Sequence, residues 1–300
     1  MTRRLAADTV LEIAWPSEAG VLLGAFQRGC DHAPRAGERV LVRGSPGCAV
    51  RVGPGTMHVV LALARPSALV DCDEARVLNR YVRPLLRALG KTGALSKYFG
   101  RDWISVAHHP AAHVGVAHSR ATSRTVVEAF VAVRAPFDTY DRASYAGKAP
   151  STVEALVGKP VDDARLEQDV ALAFAELATE AEAEAETEAE AEAEAEAEAE
   201  TETEAEAAPW AARALEAIGP VCAGRDVTGR MRVGGEWMAS FDAVRDLEDR
   251  LAALGKSPDE RAITEAVHAA FDAPHTALFG VKSLESFRAV LASAYAVELE

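Results

Sequence analysis

The sequence predicts an α+β fold, in which helices accompany a mainly antiparallel or mixed sheet and a smaller α+β domain follows. Five short β-forming runs fill residues 9–64, and one amphipathic helical pattern then precedes further β segments. An alternating Glu/Ala tract at about residues 178–208 divides the 300 residues. We therefore expect domains at 1–177 and 209–300, with the acidic tract as a linker between them.

The strand candidates of the first part are runs rich in Val, Leu and Ile that Gly and Pro separate. They lie at residues 9–15, 20–26, 38–43, 48–52, 57–64, 103–107, 112–118 and 125–133.

A helix is predicted between the fifth and sixth of these strands, because apolar residues recur there at spacings of four, three and four. This stripe is Leu78, Val82, Leu85 and Leu89. Asp71 and Glu74 predict the start of the helix, Gly90 its end, and Pro84 a kink. Helices are expected again from about Thr152.

The second part combines one hairpin with three helices. The hairpin candidate spans residues 227–237 and contains Gly234 and Gly235. A helix ending at Gly255 follows, and the run Ser257-Pro-Asp-Glu260 predicts a capping box that opens a second helix. The last helix is expected from about Ser283.

The net charge of -14 comes from the Glu/Ala tract. Its 14 acids occupy every even position from 180 to 206, and without them 32 acidic residues face 32 basic ones. This balance excludes a basic nucleic-acid surface of the whole-chain kind. Like charges at every i,i+4 pair favour a solvated, frayed helix or a disordered spacer that keeps two domains apart.

The chain shows neither a membrane span nor a disulfide framework. Its apolar runs stay far below the roughly 18 residues that a span needs. The four cysteines, at 30, 48, 72 and 222, form no CxxC pair. We expect a cytoplasmic monomer with reduced thiols.

The most unusual segment is the glycine-rich stretch 43–56, which lies between two predicted strands. Its glycines at 44, 47, 53 and 55 let the backbone offer N–H groups to an anion, and Arg43 and Arg51 flank it. It is neither a Walker loop nor a GxGxxG turn, because no helix begins there. An ordinary turn remains the alternative.

The order of motifs along the chain resembles the lipoate–protein ligase A family of the biotin/lipoate ligase superfamily. The run Arg43-Gly-Ser-Pro-Gly-Cys-Ala-Val50 is similar to that family's R-x-S-G-G-G-A-V, and Gly53-Pro-Gly55 to the turn that follows it. The run Phe99-Gly-Arg-Asp102 resembles F-G-R-N-D, and residues 112–117 resemble K-x-x-G-x-A. The run Gly235-Glu-Trp237 resembles the G-D-F of the family's accessory domain.

The resemblance implies a class II synthetase-like fold and a two-step reaction. Lipoate, or a similar short fatty acid, would be activated with ATP and Mg²⁺ to an acyl-adenylate and passed to a lysine of a lipoyl-domain carrier. The residues expected to contact the acyl-adenylate are Arg43, Ser45, Gly47, Gly53 and Gly55, together with Arg101, Asp102 and Gly115.

The family's catalytic lysine is absent. Its position corresponds to Ala112, or to Ala111 after a slip of one residue, and Glu128 lies where the family has H-G-T. Loss of one preorganised donor commonly costs roughly 3–4 kcal/mol. The alternative is therefore a non-catalytic homologue that binds a lipoyl or biotinyl domain, or the free acid, as a scaffold or sensor.

Two further kinds of chemistry were weighed against these hypotheses. The histidines at 108, 109, 113 and 118 offer zinc ligands, but we expect ordinary strand residues and no metal site. The superfamily's octanoyl-transferases use a cysteine that is missing here, since no Cys lies between Cys72 and Cys222. We expect Cys48 to be a small buried core thiol.

Overall fold

A computed structural model describes residues 1–6, 8–29, 32, 35, 38–137, 145, 147–185, 203–204, 209–215, 219–273 and 276–297. The strands are β1 (Thr2–Ala6), β2 (Thr9–Ala14), β3 (Gly20–Leu23), β4 (Arg39–Val42), β5 (Val50–Val52), β6 (Thr56–Leu63), β7 (Ser96–Tyr98), β8 (Trp103–Val106), β9 (His109–His118), β10 (Thr125–Ala132), β11 (Thr203–Glu204), β12 (Ala212–Leu215), β13 (Pro220–Arg225), β14 (Met231–Gly235), β15 (Met238–Ala239) and β16 (Leu278–Phe279). The helices are α1 (Val77–Lys91), α2 (Val153–Val157), α3 (Asp163–Ala185), α4 (Phe241–Ala253), α5 (Glu260–Phe271) and α6 (Glu285–Val297).

A seven-stranded antiparallel sheet forms the centre of the molecule, in the order β1-β2-β6-β10-β9-β8-β7. Helices α1 and α3 cover one face, where their apolar stripes meet the inward residues of β6, β9 and β10. A smaller sheet, β11-β4-β3-β5, covers the other face, and only its β3–β4 pair is parallel. The predicted α+β class with a mainly antiparallel or mixed sheet is therefore confirmed.

Strand β9 divides its side chains between these two faces, because successive residues of a strand point in opposite directions. Ala112, Val114 and Val116 belong to the core under the helices. His113 contacts Cys48 on the opposite side, and the backbone at Gly115 approaches Ser45 there. This face, between the large sheet and the glycine-rich stretch, carries the candidate site.

The C-terminal unit, residues 209–297, packs directly against the first part of the chain. Its core is built on Trp237, and Phe26 of the first part enters that core with ring centroids 4.8 Å apart. In return, Met238 reaches the core of the first part. The sequence had led us to expect that the Glu/Ala tract keeps the two parts apart. The two parts instead pack against each other.

Three local predictions in the C-terminal unit and α1 are wrong in their details. The N-cap of α5 is Asp259 rather than Ser257, because a carboxylate caps as well as a hydroxyl and also favours the positive end of the helix. Gly234 and Gly235 lie inside β14, where a Cβ on Gly234 would overlap the Phe26 carbonyl oxygen. Helix α1 continues through Gly90 to Lys91.

The Glu/Ala tract is only partly described. Helix α3 runs into its first residues and ends at Ala185, and residues 203–204 pair with β4. The expectation of a frayed helix or a disordered spacer falls mainly on residues 186–202, which lie outside the described residues. Within the described ranges, the helices are all too short or too polar to cross a bilayer.

Candidate functional site

The glycine-rich stretch separates into two places in the structure. Its first half, residues 43–49, lies over the face of β9 and β10, whereas Gly53 and Gly55 form the turn into β6. Gly47 adopts a φ of +116°. Its backbone approaches Gly24 so closely that a Cβ on Gly24 would overlap the Gly47 carbonyl oxygen. The Ser45 carbonyl also accepts a hydrogen bond from the Ala25 N–H at 3.0 Å. Residues 43–49, named the Arg43 loop below, are thus fixed to the segment that follows β3.

The Arg43 guanidinium is enclosed within the protein. Its side chain is 2% exposed, and Nη1 lies 3.5 Å from Oε2 of Glu128. The same nitrogen donates to the Ser45 hydroxyl, and Nη2 donates to the Cys48 carbonyl at 2.9 Å. The guanidinium carbon also lies 5.1 Å from the centre of the Phe130 ring. The predicted anion-binding arginine therefore contacts groups of this chain.

Glu128 neutralises this arginine from the centre of β10. Its Oε2 accepts the Ser45 N–H at 3.2 Å, and its Oε1 lies 3.3 Å from Nε2 of His58. Burial by itself raises the pKa of Glu128, but the hydrogen bond with His58 and the charge of Arg43 outweigh it and lower the pKa to about 2. Glu128 is thus a carboxylate at neutral pH, and it forms a buried ion pair with Arg43.

The second flanking arginine is also paired. Nη2 of Arg51 donates to Oε2 of Glu38 at 3.1 Å, and this partner lowers the pKa of Glu38 to about 2. Both fixed positive charges of the glycine-rich stretch are therefore balanced by carboxylates.

A second buried cluster lies beside the Arg43 loop. Sγ of Cys48 lies 3.0 Å from Nδ1 of His113, and Nε2 of His113 lies 2.9 Å from the hydroxyl of Tyr145. Asp102 completes the cluster next to Cys48. Burial raises the pKa of Cys48 well above its usual value, raises that of Asp102 to about 6, and lowers that of His113 to about 3. Burial thus shifts each group toward its neutral form, although a pKa of about 6 still leaves Asp102 mostly ionised at pH 7.

The structure places five of the eight predicted ligand contacts on one face, with Arg101 next to them in the chain, and leaves Gly53 and Gly55 apart. The group on one face comprises Arg43, Ser45, Gly47, Asp102 and Gly115. Gly53 instead lies against Ala19, and Gly55 against Arg134 and Ala135. The Arg101 guanidinium lies 5.8 Å from the centre of the Trp103 ring. The assignment of these eight residues to a ligand stays a prediction.

Position 112 lies on the other face of β9. Ala112 is buried in the core between the large sheet and the helices, away from the Arg43 loop. A lysine at this position would extend into that apolar core. The residue of β9 next to it that does face the loop is His113.

Sequence analysis did not assign Glu128, His58 and His113 to the site. The usable signal was a charged residue in the middle of the apolar run 125–133, since carboxylates are rarely buried without a partner. The partner itself could not be identified from the sequence, because Arg43 lies 85 residues earlier.

The space between the Arg43 loop and β9 is filled. A Cβ placed on Gly115 would lie 2.5 Å from the Ser45 hydroxyl oxygen, 2.7 Å from Nη1 of Arg43 and 2.9 Å from the Pro46 carbonyl oxygen. Within the described residues, a cavity of about 370 Å³ lies beside the C-terminal unit, and one of about 250 Å³ borders β3 and His58, whose ring contacts Glu128. In this arrangement an acyl-adenylate does not fit between the loop and the strand, nor do the ATP and Mg²⁺ that would form it.

The larger cavity lies where the segment after β3 meets the C-terminal unit. Its walls include Phe26, Arg28, Trp210, Arg232 and Phe241. The Arg28 guanidinium stacks on Trp210 at 3.9 Å, and Arg232 is paired with Glu248. These arginines also have partners within the chain.

Comparisons with known proteins show the fold. No family model and no curated protein sequence match this chain. Among solved structures, it is similar to P. falciparum LipL1 in complex with lipoate, with 10% identity and a TM-score of 0.55 over 97% of this chain and 87% of that one. A bipartite lipoate protein ligase from Thermoplasma acidophilum, solved with its E2 lipoyl domain, matches over 56% of this chain and 71% of its own, with 13% identity and a TM-score of 0.47. A biotin protein ligase from Aquifex aeolicus with biotin and ATP matches over 56% of this chain and 70% of its own, with 12% identity and a TM-score of 0.37. The likeness to LipL1 confirms the predicted lipoate ligase-like α+β fold.

Proposed function

We propose that this protein does not form an acyl-adenylate and serves as a non-catalytic binding partner of a lipoyl-carrier domain. Its fold is that of the lipoate ligases. The observation that carries the proposal is the buried Arg43–Glu128 pair, which lies on the face where the motif resemblance would place an activated acid.

The pair works against anion binding at the Arg43 loop. A phosphate or carboxylate would have to take the Arg43 guanidinium away from Glu128, whose carboxylate would then stay buried without its cation. Breaking a buried ion pair in this way commonly costs about 3–5 kcal/mol. The charge that should stabilise the developing mixed anhydride is thus already engaged before any ligand arrives.

Position 112 supports the same conclusion. The family's lysine would supply a cation to the reacting groups, but Ala112 has none, and its Cβ belongs to the core beneath the helices. Chemistry at the Arg43 loop would therefore need both a new cation and a displaced loop.

Binding of a carrier domain requires neither a new cation nor a displaced Arg43 loop. A carrier protein docks on the outer surface of its partner, and that surface is independent of the filled interior. The C-terminal unit is held in place by polar contacts with the first part, since the Arg120 N–H donates to Asp242 and Ser240 donates to Glu74. The arrangement thus offers one continuous surface across both parts.

The competing hypothesis is a working ligase that uses ATP to attach lipoate, or a similar short fatty acid, to a carrier lysine. The likeness to LipL1 over 97% of this chain favours it. It requires the Arg43 loop to open and another residue to replace the lysine.

The experiment incubates the full chain with ATP, Mg²⁺, lipoate or octanoate, and an apo lipoyl domain. Pyrophosphate release and the mass of the carrier are measured, with an active lipoate ligase as the positive control. We expect neither release nor a mass shift. Binding of the apo carrier is measured separately by titration calorimetry, with an unrelated domain of equal charge as the control. Turnover supports the ligase hypothesis, and a carrier that binds no better than the control overturns the binding role.

A further inference from the structure

Three potential metal ligands meet in the interior beside the Arg43 loop. Cys48 comes from that loop, Asp102 from the residue before β8, and His113 from β9. All three side chains are buried, and one donor atom of each lies within 4.8 Å of the other two. The proposed binding role does not use this cluster, and the ligase hypothesis uses only Asp102 of it.

The donor set matches zinc better than other common divalent ions. A thiolate, an imidazole nitrogen and a carboxylate oxygen are all ligands that Zn²⁺ accepts in tetrahedral sites, whereas Mg²⁺ and Ca²⁺ take oxygen ligands. The charges also balance, because one thiolate and one carboxylate neutralise a divalent ion around a neutral imidazole. A neutral cluster suits an interior where isolated charges are costly.

The distance between the donor atoms of Cys48 and His113 is close to that of a zinc site. Zinc bonds of about 2.3 Å to sulfur and 2.0–2.1 Å to nitrogen separate the two ligand atoms by roughly 3.5 Å in a tetrahedron. Sγ of Cys48 and Nδ1 of His113 are 3.0 Å apart. A shift on the order of half an ångström, in the Cys48 side chain beside Gly47, brings them to the coordination distance.

The surroundings of His113 orient it as a ligand. Its Nε2 lies 2.9 Å from the hydroxyl of Tyr145, which leaves Nδ1 directed at Cys48. A ligating histidine usually places its second ring nitrogen in such a hydrogen bond, which fixes the tautomer. The loop side is held as well, since Arg43 donates to the Cys48 carbonyl.

We propose that Cys48, Asp102 and His113 bind one zinc ion, which fastens the Arg43 loop to β8 and β9. On binding, a zinc–sulfur bond replaces the S–H bond of Cys48 and the thiol proton leaves to solvent. The ion changes no oxidation state. The proposal replaces the sequence-based expectation of no metal site, and it does not depend on whether the protein is a ligase.

The first test is the metal content of the full chain, purified without chelators and measured by mass spectrometry. The expected result is close to one zinc per chain. Chelated protein is then titrated with Co²⁺, whose thiolate complexes absorb in the near ultraviolet. We expect a cobalt–thiolate band that saturates at one equivalent, with release of at least one proton per ion.

Variants assign the ligands. Cys48→Ser and His113→Gln should lose the band, whereas Cys72→Ser, which removes another largely buried thiol outside the cluster, should keep it. Tyr145→Phe should weaken zinc binding roughly 10–100-fold, as loss of an outer partner commonly does. Circular dichroism of each variant separates lost ligation from lost folding.

Three results would overturn the proposal. One is wild-type protein that carries only a small fraction of an equivalent of metal and gives no cobalt–thiolate band. Another is a Cys72→Ser variant that loses the band as Cys48→Ser does. The third is rapid alkylation of Cys48 by iodoacetamide that zinc does not slow, which would point to a reactive thiol instead.

Discussion

Replacement of Glu128 by glutamine should lower the free energy of unfolding of this protein by much more than such a conservative substitution usually does. Glu128→Gln keeps the shape of the side chain and removes its charge, so that the buried Arg43 loses its counterion. The pKa of Glu128 is lowered from 4.5 to about 2 in the folded protein. At roughly 1.4 kcal/mol per pH unit, this shift corresponds to about 3 kcal/mol of stability at neutral pH.

The dependence on pH follows from the direction of the shift. A carboxyl with a lowered folded-state pKa contributes stability above its unfolded pKa and loses it as the pH falls toward the folded one. The contribution of Glu128 should therefore be complete above about pH 5 and shrink to about 1 kcal/mol near pH 3. The difference in free energy of unfolding between wild type and Glu128→Gln should therefore decrease as the pH is lowered.

The assay is urea unfolding of both proteins at pH 7 and pH 3, followed by circular dichroism. Asp249→Asn is the matched control, because Asp249 pairs with Arg230 at the surface and such pairs are worth about 1 kcal/mol or less. The double variant Arg43→Met/Glu128→Leu removes both charges and should recover most of the lost stability. A cost of Glu128→Gln no larger than that of Asp249→Asn at pH 7 would show that the buried ion pair does not stabilise the fold.

Three further substitutions, with Gly90→Ala as a control, test the packing around the site and between the two parts of the chain. Ala112→Lys should cost roughly 3 kcal/mol or more in urea unfolding, because it buries a cation beneath the helices, and pyrophosphate assays should show no adenylate formation. Gly115→Ala should lower the free energy of unfolding by about 1–3 kcal/mol in the same assay, since the added Cβ meets Ser45 and Arg43. The control Gly90→Ala should not destabilise the protein, because the space around Gly90 is open. Phe26→Ala should cost about 3–5 kcal/mol, measured by urea unfolding, because Phe26 fills the core around Trp237, and an unchanged midpoint would contradict direct packing of the two parts.

The sequence could predict the elements whose patterns are local. Strands β2, β6 and β10, and the C-terminal ends of α1 and α4, agree with the predicted segments to within about two residues. Helix α1 begins at Val77, six residues after the predicted start at Asp71, because Asp73 instead caps a short 3-10 helix that precedes it. The apolar residues of these strands and helices repeat with period 2 or 3.6, and this repetition depends only on neighbours along the chain. The start of α5 was misplaced by two residues because Ser257 and Asp259 are both good N-caps, and only the geometry decides between them.

The sequence could predict some residues of the site but not how they are paired, because the pairing depends on contacts between segments that are distant in the chain. Arg43 and Glu128 are 85 residues apart, and Cys48 and His113 are 65 apart. Their meeting depends on how the two sheets stack and on the register that sets Glu128 opposite Gly115. A motif therefore identified the Arg43 loop, but it could not show that Arg43 pairs with Glu128 and donates to the loop's own backbone.

Titration calorimetry of the full chain with a non-hydrolysable lipoyl-AMP analogue measures whether the Arg43 loop admits an acyl-adenylate. Release of Arg43 from Glu128 costs about 3 kcal/mol, which weakens binding by roughly 100-fold. An open site that bound the analogue at about 1 µM would thereby be weakened to about 0.1 mM, and the closed Arg43 loop predicts binding no tighter than that. One-to-one binding below about 1 µM would show that the loop opens to admit an acyl-adenylate, and it would contradict a closed Arg43 loop.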